Sequence, residues 1–142
     1  MDRIAAVNDR ITSYSDHSYT VLRIGLGLVV FLAGLHKIVA PAVWAGYIAP
    51  QVATALAEVG LSGSVFMTVS GAAEAVFSLL LFADRYTTVA AGIVSLSFVG
   101  ITINLAAAGT GFIDIIIRDV GLISLAFGVT LMAADRRSGG GA

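Results

Sequence analysis

Four long apolar stretches divide the chain. They run over residues 19–39, 64–83, 86–108 and 113–134. Each is close to the roughly 20 residues that a helix needs to cross the hydrocarbon core of a bilayer. The second and third stretches are joined by a turn at Asp84 and Arg85, and the third and fourth by Gly109-Thr110-Gly111, so the helices on either side of each turn must run antiparallel. The pattern predicts an all-α fold, a polytopic membrane four-helix bundle spanning residues 19–134.

A longer connection separates the first apolar stretch from the second. Pro41 and Pro50 interrupt it, and Trp44 and Tyr47 are residue types that favour the headgroup level of a membrane. We therefore expect a short interfacial segment here, with a helix between residues 51 and 59. A fifth span is excluded because the apolar run is too short.

The two ends of the chain are more polar than the four stretches. Residues 1–18 form an N-terminal segment in which Ile4, Val7, Ile11 and Tyr14 fall near one helical face. This pattern is typical of an amphipathic helix at the membrane surface, although a frayed polar tail is an equal alternative. Residues 135–142 end in glycines and are predicted to be a flexible tail.

Basic residues are distributed unequally between the two sides of the predicted bundle. One side holds Arg3, Arg10, Arg23, Arg85, Arg136 and Arg137, and the other holds Lys37 and Arg118. Because Lys and Arg accumulate in cytoplasmic loops, the bias predicts that both termini are cytoplasmic and that the protein lies in the plasma membrane.

Composition agrees with a membrane protein and narrows the chemistry. Apolar residues make up 58% of the chain and charged residues 12%, against roughly 45–50% and about 25% in soluble domains. The net charge of −1 gives a nucleic-acid partner no electrostatic support. The absence of cysteine excludes thiol exchange, Cys-ligated clusters and covalent haem attachment. The two histidines are predicted on opposite sides, so we expect no metal site and no autonomous catalytic motif.

Charged residues share helical stripes with small residues in three of the four stretches. The stripes are Arg23-Gly27-Val30-Gly34-Lys37, Met67-Gly71-Glu74-Ser78 and Asp114-Arg118-Gly121-Leu125-Gly128. Small residues allow neighbouring helices to approach closely in a membrane. We therefore expect all three stripes to face protein rather than lipid.

Glu74 is the most informative of these charged residues because it lies near the middle of its span. An ionised carboxylate at this depth costs several kcal/mol unless it is paired or hydrated. Lys37 and Arg118 have the reach to pair with it, although for Lys37 taken alone the pattern favours snorkelling to the headgroups. The sequence thus predicts a candidate polar site in one half of the bundle, made of Lys37, Glu74, Asn104, Asp114 and Arg118. Arg23 is predicted to anchor the opposite interface or to pair with a carboxylate such as Asp84.

Several of these residues also carry a resemblance to a known family. The run LRIGLGLVVFLAGLHKIVAP, with Arg23, Gly27, Gly34 and Lys37, resembles the first helix of the DoxX family. The run SGAAEAVFSLLLFADRYTTVAA, with Gly71 and Glu74, resembles its second helix, and the run that begins RDVG at residue 118 resembles its last helix. The resemblance extends from about residue 19 to 134.

The resemblance implies a four-helix membrane protein, some of whose relatives are quinone-linked subunits. It favours a quinone-linked or redox-associated membrane subunit, which as part of a membrane oxidoreductase would rely on a bound quinone or a partner redox subunit for electron chemistry. Lys37, Arg118 and Asn104 can donate hydrogen bonds to a quinone, and Glu74 can move protons. Two alternatives stay open: a non-catalytic membrane scaffold subunit, and a small-solute transporter whose path would need a homo-oligomer.

Overall fold

The computed structural model describes residues 2–139, and in that part of the chain it is helical with no strand. The α-helices are α1 (Asp2–Thr12), α2 (Ser18–Val39), α3 (Pro41–Ala45), α4 (Pro50–Glu58), α5 (Gly63–Phe82), α6 (Thr87–Ala108) and α7 (Ile113–Gly139). Short 3-10 turns at Ser15–His17 and Thr110–Phe112 lead into α2 and α7.

Four of these helices are long and apolar enough to cross a membrane: α2 with its preceding turn, α5, α6 and α7. Many of their large apolar side chains are exposed outside the bundle, such as Val21 at 65% and Leu96 at 72%. Exposed apolar side chains on helices of this length need a lipid solvent. The predicted fold class, an all-α membrane bundle, is therefore confirmed, and the chain is a multi-pass membrane protein.

The bundle has two ends, which we call the Arg23 end and the Lys37 end after the basic residues of α2. At the Arg23 end, α2 and α6 begin and α5 and α7 end. The α5–α6 turn at this end is tight, and Asp84 and Tyr86 adopt positive φ angles of 51° and 53°. At the Lys37 end, Gly109 has a φ of 127° between α6 and α7, a conformation that side chains rarely allow.

Helix α2 packs most closely against α5, and two glycines set the distance between them. A Cβ atom on Gly71 would lie 2.5 Å from the carbonyl oxygen of Gly34, and one on Gly34 would lie 2.7 Å from the carbonyl oxygen of Gly71. The two backbones therefore touch, as small residues permit in membrane helix pairs. The predicted stripe on α2 is confirmed, because Arg23, Gly27, Val30, Gly34 and Lys37 are all buried.

Helices α6 and α7 form the second close pair. The main hydrophobic core lies toward the Arg23 end and takes residues from all four long helices. Its buried members are Leu26, Val30, Leu81, Ala90, Ala91, Val94, Ala126 and Val129.

The predicted inward stripe on α7 is wrong. Gly121 is exposed, and a Cβ atom added to Gly121 or Gly128 would meet nothing within 4 Å. The residues of α7 that are buried are Asp119, Ala126, Val129 and Ala133, which share a stripe rotated by about one residue. Alanines, rather than glycines, lie on the buried face of α7, so glycine spacing pointed to the wrong face.

The last helix is longer than its apolar pattern. Helix α7 continues to Gly139, whereas the sequence predicted a flexible tail from residue 135. The polar residues that end the apolar run are compatible with a helix, and Arg136 lies over the ring of Tyr19 at 4.7 Å, which holds the last turns against α2. Residues 140–142 of the predicted tail lie outside the described residues.

Candidate functional site

The centre of the candidate site is an ion pair between Lys37 of α2 and Glu74 of α5. The Lys37 side chain is 5% exposed and that of Glu74 is 14% exposed. Lys37 Nζ donates a hydrogen bond to Glu74 Oε1, while Glu74 Oε2 is buried and has no hydrogen-bond partner in the described residues. The site therefore contains a buried lysine ammonium group and, beside it, one carboxylate oxygen that makes no hydrogen bond in the described residues.

Helix geometry explains why Lys37 points into the bundle although it lies near the end of its span. Side chains on a helix lean toward the N-terminus, so Lys37 leans back along α2 toward the middle of the membrane. Glu74 on antiparallel α5 leans toward the Lys37 end and meets it. The contact of Gly34 with Gly71 brings the two backbones close enough for the pair to form. Of the two alternatives for Lys37, the inward one is the observed geometry.

An aromatic wall closes the Lys37 side of the pair. The ring of Trp44, on α3, lies 4.8 Å from Lys37 Nζ in a cation–π contact. Trp44 Nε1 donates a hydrogen bond of 2.9 Å to His36 Nδ1, which fixes the orientation of the indole. Tyr47 continues the wall, with ring centroids 5.9 Å from Trp44 and 5.6 Å from Phe112.

Asn104 is near this end of the bundle but bonds to a different partner. Its Oδ1 accepts a hydrogen bond of 2.9 Å from the backbone N–H of Ala49, and its Nδ2 donates one of 2.7 Å to the carbonyl oxygen of Tyr47. The amide thus satisfies one backbone N–H and one carbonyl group of the α3–α4 connection. Asn104 holds the segment that carries Trp44 and makes no hydrogen bond to Lys37 or Glu74.

Asp114 and Arg118 also lie outside the pair. Asp114 is exposed at the start of α7. Arg118, with a side chain that is 64% exposed, binds Asp119 Oδ1 through Nε at 3.2 Å and Nη2 at 3.1 Å instead of pairing with Asp114 or Glu74. Asp119 is only 1% exposed, so the buried carboxylate on α7 is neutralised from the surface of the bundle. Of the predicted set, the structure brings together Lys37 and Glu74.

The other buried cation of α2, Arg23, is bound at the opposite end by the last turn of α5. Its Nη1 donates hydrogen bonds to the carbonyl oxygens of Leu81 and, at 3.0 Å, Phe82. Carbonyls in the last turn of a helix have no partner within the helix, so Arg23 caps α5. Arg23 Nε also lies 3.6 Å from Asp84 Oδ1 in the α5–α6 turn.

Asp84 connects three helices at the Arg23 end. Its Oδ1 accepts hydrogen bonds from Tyr19 Oη at 2.7 Å and from Thr87 Oγ1 at 2.8 Å. Burial acts to raise the pKa of Asp84, but these two bonds and the charges of Arg23 and Arg136 outweigh it, so the pKa lies below its ordinary value. The carboxylate is thereby kept ionised.

Two open cavities lie at the Arg23 end. One of about 420 Å³ is lined by Ser15, Asp16, Ser18, Tyr19, Met132, Asp135 and Arg136. A neighbouring one of about 150 Å³ is lined by Tyr19, Asp84, Thr87, Ala133, Arg136 and Arg137. Both contain charges of both signs and open near the chain ends, so neither is an apolar slot beside Glu74.

The sequence analysis missed the roles of three residues. Trp44 was placed at the headgroup level by its type, but only the reversal of the chain at α3 brings it over Lys37. Tyr19 and Thr87 were not singled out, because hydroxyl partners of a turn carboxylate give no pattern along the chain. The proximity of Thr87 to Asp84 in sequence was the one available signal.

The fold and the site together define a class of protein: a multi-pass, four-helix membrane protein with two buried cations on one face of its first span. The DoxX family model matches residues 18–109, which is more than half of the chain and covers α2 to α6. The chain belongs to the DoxX family, as its sequence motifs indicated. Neither the curated proteins nor the solved structures gave a match to it.

Proposed function

We propose that this chain is a quinone-linked membrane subunit whose ligand binds at the Lys37–Glu74 pair. One observation carries the proposal: Glu74 Oε2 is buried in an apolar span, next to a cation, with no hydrogen-bond partner in residues 2–139. A buried polar atom without a partner costs about 1–3 kcal/mol, more when it is charged. A ligand that donates a hydrogen bond at this position would remove that cost.

The residues at the pair fit a quinone or quinol headgroup. Lys37 Nζ can donate to a quinone oxygen, Glu74 Oε2 can accept from a quinol hydroxyl, and the half-buried Trp44 offers a flat apolar surface to a ring. When bound, the quinone supplies the two-electron redox chemistry. In this proposal a partner redox subunit would supply the two electrons, Glu74 would deliver one proton from Oε2, and the second proton of quinol formation would come from solvent.

Trp44 is the single tryptophan of the chain, and this makes a direct experiment possible. The protein in lipid nanodiscs would be titrated with a short-chain ubiquinone analogue while Trp44 fluorescence is recorded. We expect saturable quenching in wild type, because the ligand would sit beside the indole. With the reduced form of the analogue, a quinol, we expect E74Q to lose the saturable component, since the amide nitrogen in place of Oε2 cannot accept the hydrogen bond of a quinol hydroxyl.

The control for this titration is S97A. Ser97 is exposed on α6, and its hydroxyl bonds only within its own helix, to the carbonyl oxygen of Ile93 at 2.9 Å. S97A should therefore quench like wild type. Quenching that rises linearly with quinone in wild type and is equal in E74Q would mean collision in the bilayer and would overturn the proposal.

A second candidate function is a non-catalytic scaffold, favoured by the position of the ion pair beside the Gly34–Gly71 contact. In that case the pair fixes the register of α2 on α5, and the outer faces of the bundle bind another membrane protein. Buried polar groups can serve such a role. Under this alternative the double variant K37M/E74Q would lose assembly with the partner, and wild type would show no saturable quenching.

We also propose that the protein lies in the plasma membrane with the Arg23 end in the cytoplasm. This orientation is supported by the cluster of arginines at that end: Arg3, Arg10, Arg85, Arg136 and Arg137. Because the chain has no cysteine, single cysteines at Ser13 and Ser62 can report the two sides. In intact cells a membrane-impermeant maleimide should label S62C and not S13C; the reverse result would invert the orientation.

A further inference from the structure

Helix α1 has an apolar face that the described residues leave uncovered. Ile4, Val7 and Ile11 are 80%, 58% and 67% exposed. At 3.6 residues per turn, these three side chains lie within about 60° of one another around the helix. Large apolar side chains clustered on one face are usually covered by another surface.

On α1, basic residues lie beside the apolar face and an acidic residue lies opposite it. From the same helical period, Arg3 and Arg10 lie about 70–90° to one side of the apolar face, and Asp9 lies almost opposite, at about 170°. The cations thus border the apolar face, while the carboxylate is as far from it as the helix allows. This segregation complements a surface with an apolar interior and negative charge at its edge.

The position of α1 in the chain identifies that surface. Helix α1 ends at Thr12, and only a short connection that includes the 3-10 turn Ser15–His17 leads from it to α2, which is long and apolar enough to span the membrane. Val21, one turn into α2, is 65% exposed, so lipid tails must reach that level. The headgroup layer then lies next to the Ser15–His17 turn, within reach of α1.

We propose that α1 lies in the headgroup layer of the bilayer at the Arg23 end, with Ile4, Val7 and Ile11 in the acyl boundary and Arg3 and Arg10 against lipid phosphates. The apolar face drives adsorption. The two arginines make anionic phospholipid the preferred partner, because basic residues next to an anionic membrane surface are attracted to it. The bilayer, rather than a second copy or another protein, is the occupant.

The absence of cysteine allows a matched test in the full-length protein. V7C and D9C would each be spin-labelled in nanodiscs of phosphatidylglycerol and phosphatidylcholine, and collision rates with oxygen and with a soluble nickel complex compared. We expect the Val7 label to favour oxygen over nickel by several-fold and the Asp9 label to show the opposite preference. Labels at I4C and I11C should follow the Val7 label.

The second part of the experiment varies the charge of the lipid to test the role of the two arginines. The oxygen preference of the Val7 label should weaken when phosphatidylglycerol is replaced by phosphatidylcholine, and R3Q/R10Q should remove that dependence on lipid. Equal nickel access for the Val7 and Asp9 labels would show α1 standing in water, and exclusion of both reagents at Val7 would show a protein covering it. Either result would overturn the proposal.

Discussion

The two buried cations of α2 share one face of the helix but differ in what surrounds them. Arg23 leans toward the N-terminus of α2, and therefore outward, where the last carbonyls of α5 and the carboxylate of Asp84 receive it. Lys37 also leans toward the N-terminus of α2, but because it lies near the C-terminal end of the helix, this direction is inward, toward Glu74. One rule of side-chain direction thus produces a capped helix end and a charge pair within the membrane.

The contrast extends to packing and to hydrogen bonding. The Arg23 end holds the main core, and Asp84 there accepts bonds from Tyr19 and Thr87. At the Lys37 end, Glu74 keeps one oxygen without a partner among the described residues. Arg23 Nε also makes no hydrogen bond in the described residues, but it lies 3.6 Å from the carboxylate of Asp84. The free oxygen of Glu74 is a hydrogen-bond acceptor that a ligand can use. Stability is expected to depend on the first end and function on the second.

The largest effect is expected for R23Q. This change removes the cation that binds the carbonyl oxygens of Leu81 and Phe82 and faces Asp84. Loss of a charged partner at a buried position costs about 3 kcal/mol, which should appear as a large drop in the thermal unfolding midpoint in detergent. R85Q, at an exposed residue of the same end, is the control and should change little. Equal behaviour of the two variants would remove the structural role of Arg23.

G71A comes next. The new Cβ would lie 2.5 Å from the carbonyl oxygen of Gly34, and a backbone atom cannot move aside as a side chain can. Overpacking of this kind costs about 2 kcal/mol, and it should also separate Lys37 from Glu74 and reduce quinone quenching of Trp44. G100A, where a Cβ would meet nothing within 4 Å, should leave both thermal stability and quenching unchanged. A fully stable G71A would show that α2 and α5 are not held by this contact.

E74Q should distinguish the role of the Lys37 end from that of the Arg23 end most clearly, because we expect a small loss of stability together with a loss of ligand binding. The amide oxygen can still accept a hydrogen bond from Lys37, and the Trp44 ring still faces the Lys37 charge at 4.8 Å, so the unfolding midpoint should fall by the equivalent of only about 1 kcal/mol. The saturable quenching of Trp44 should nevertheless be lost. A variant that is as unstable as R23Q, or one that retains saturable quenching, would contradict this division of roles.

The smallest effect concerns pH. Because the pKa of Asp84 is lowered in the folded protein, its contribution to stability is fully present above the ordinary aspartate pKa of about 4 and is lost as the pH falls through the lowered value. The side chain is 45% exposed, so solvent screening limits the contribution to less than about 1 kcal/mol. Thermal melts of wild type between pH 6 and pH 3 should lose slightly more stability than those of D84N. Parallel curves would mean that the Asp84 network contributes nothing.

Sequence patterns predicted the spans and one helix face well, for identifiable reasons. Apolar length alone defines a membrane helix, and on α2 the residues Arg23, Gly34 and Lys37 lie on a single stripe that is buried. On α7 the same reasoning failed, because Gly121 is exposed and Ala126 lies on the buried face. Small residues occur on both faces of that helix, so spacing could not choose between them.

The candidate site was predictable only in its central pair. Glu74 was identified by its depth and Lys37 by its shared stripe with Gly34, both of which are properties of single helices. The partner of Asn104 depends on how the α3–α4 connection folds back, which helical periodicity does not predict. Arg118 binds the adjacent Asp119, although neighbours in sequence do not share a helix face and the spacing therefore favoured Asp114. The cation–π contact of Trp44 with Lys37 depends on the same reversal.

The most direct measurement compares the two carboxylates. Infrared difference spectra would be recorded in nanodiscs while bound quinone is reduced electrochemically, for wild type, E74Q and D84N. We predict a carboxyl band change in wild type that disappears in E74Q and persists in D84N, because the proton moves at the Lys37 end. A band change that survives in E74Q, or that is lost in D84N, would contradict the assignment of function to that end.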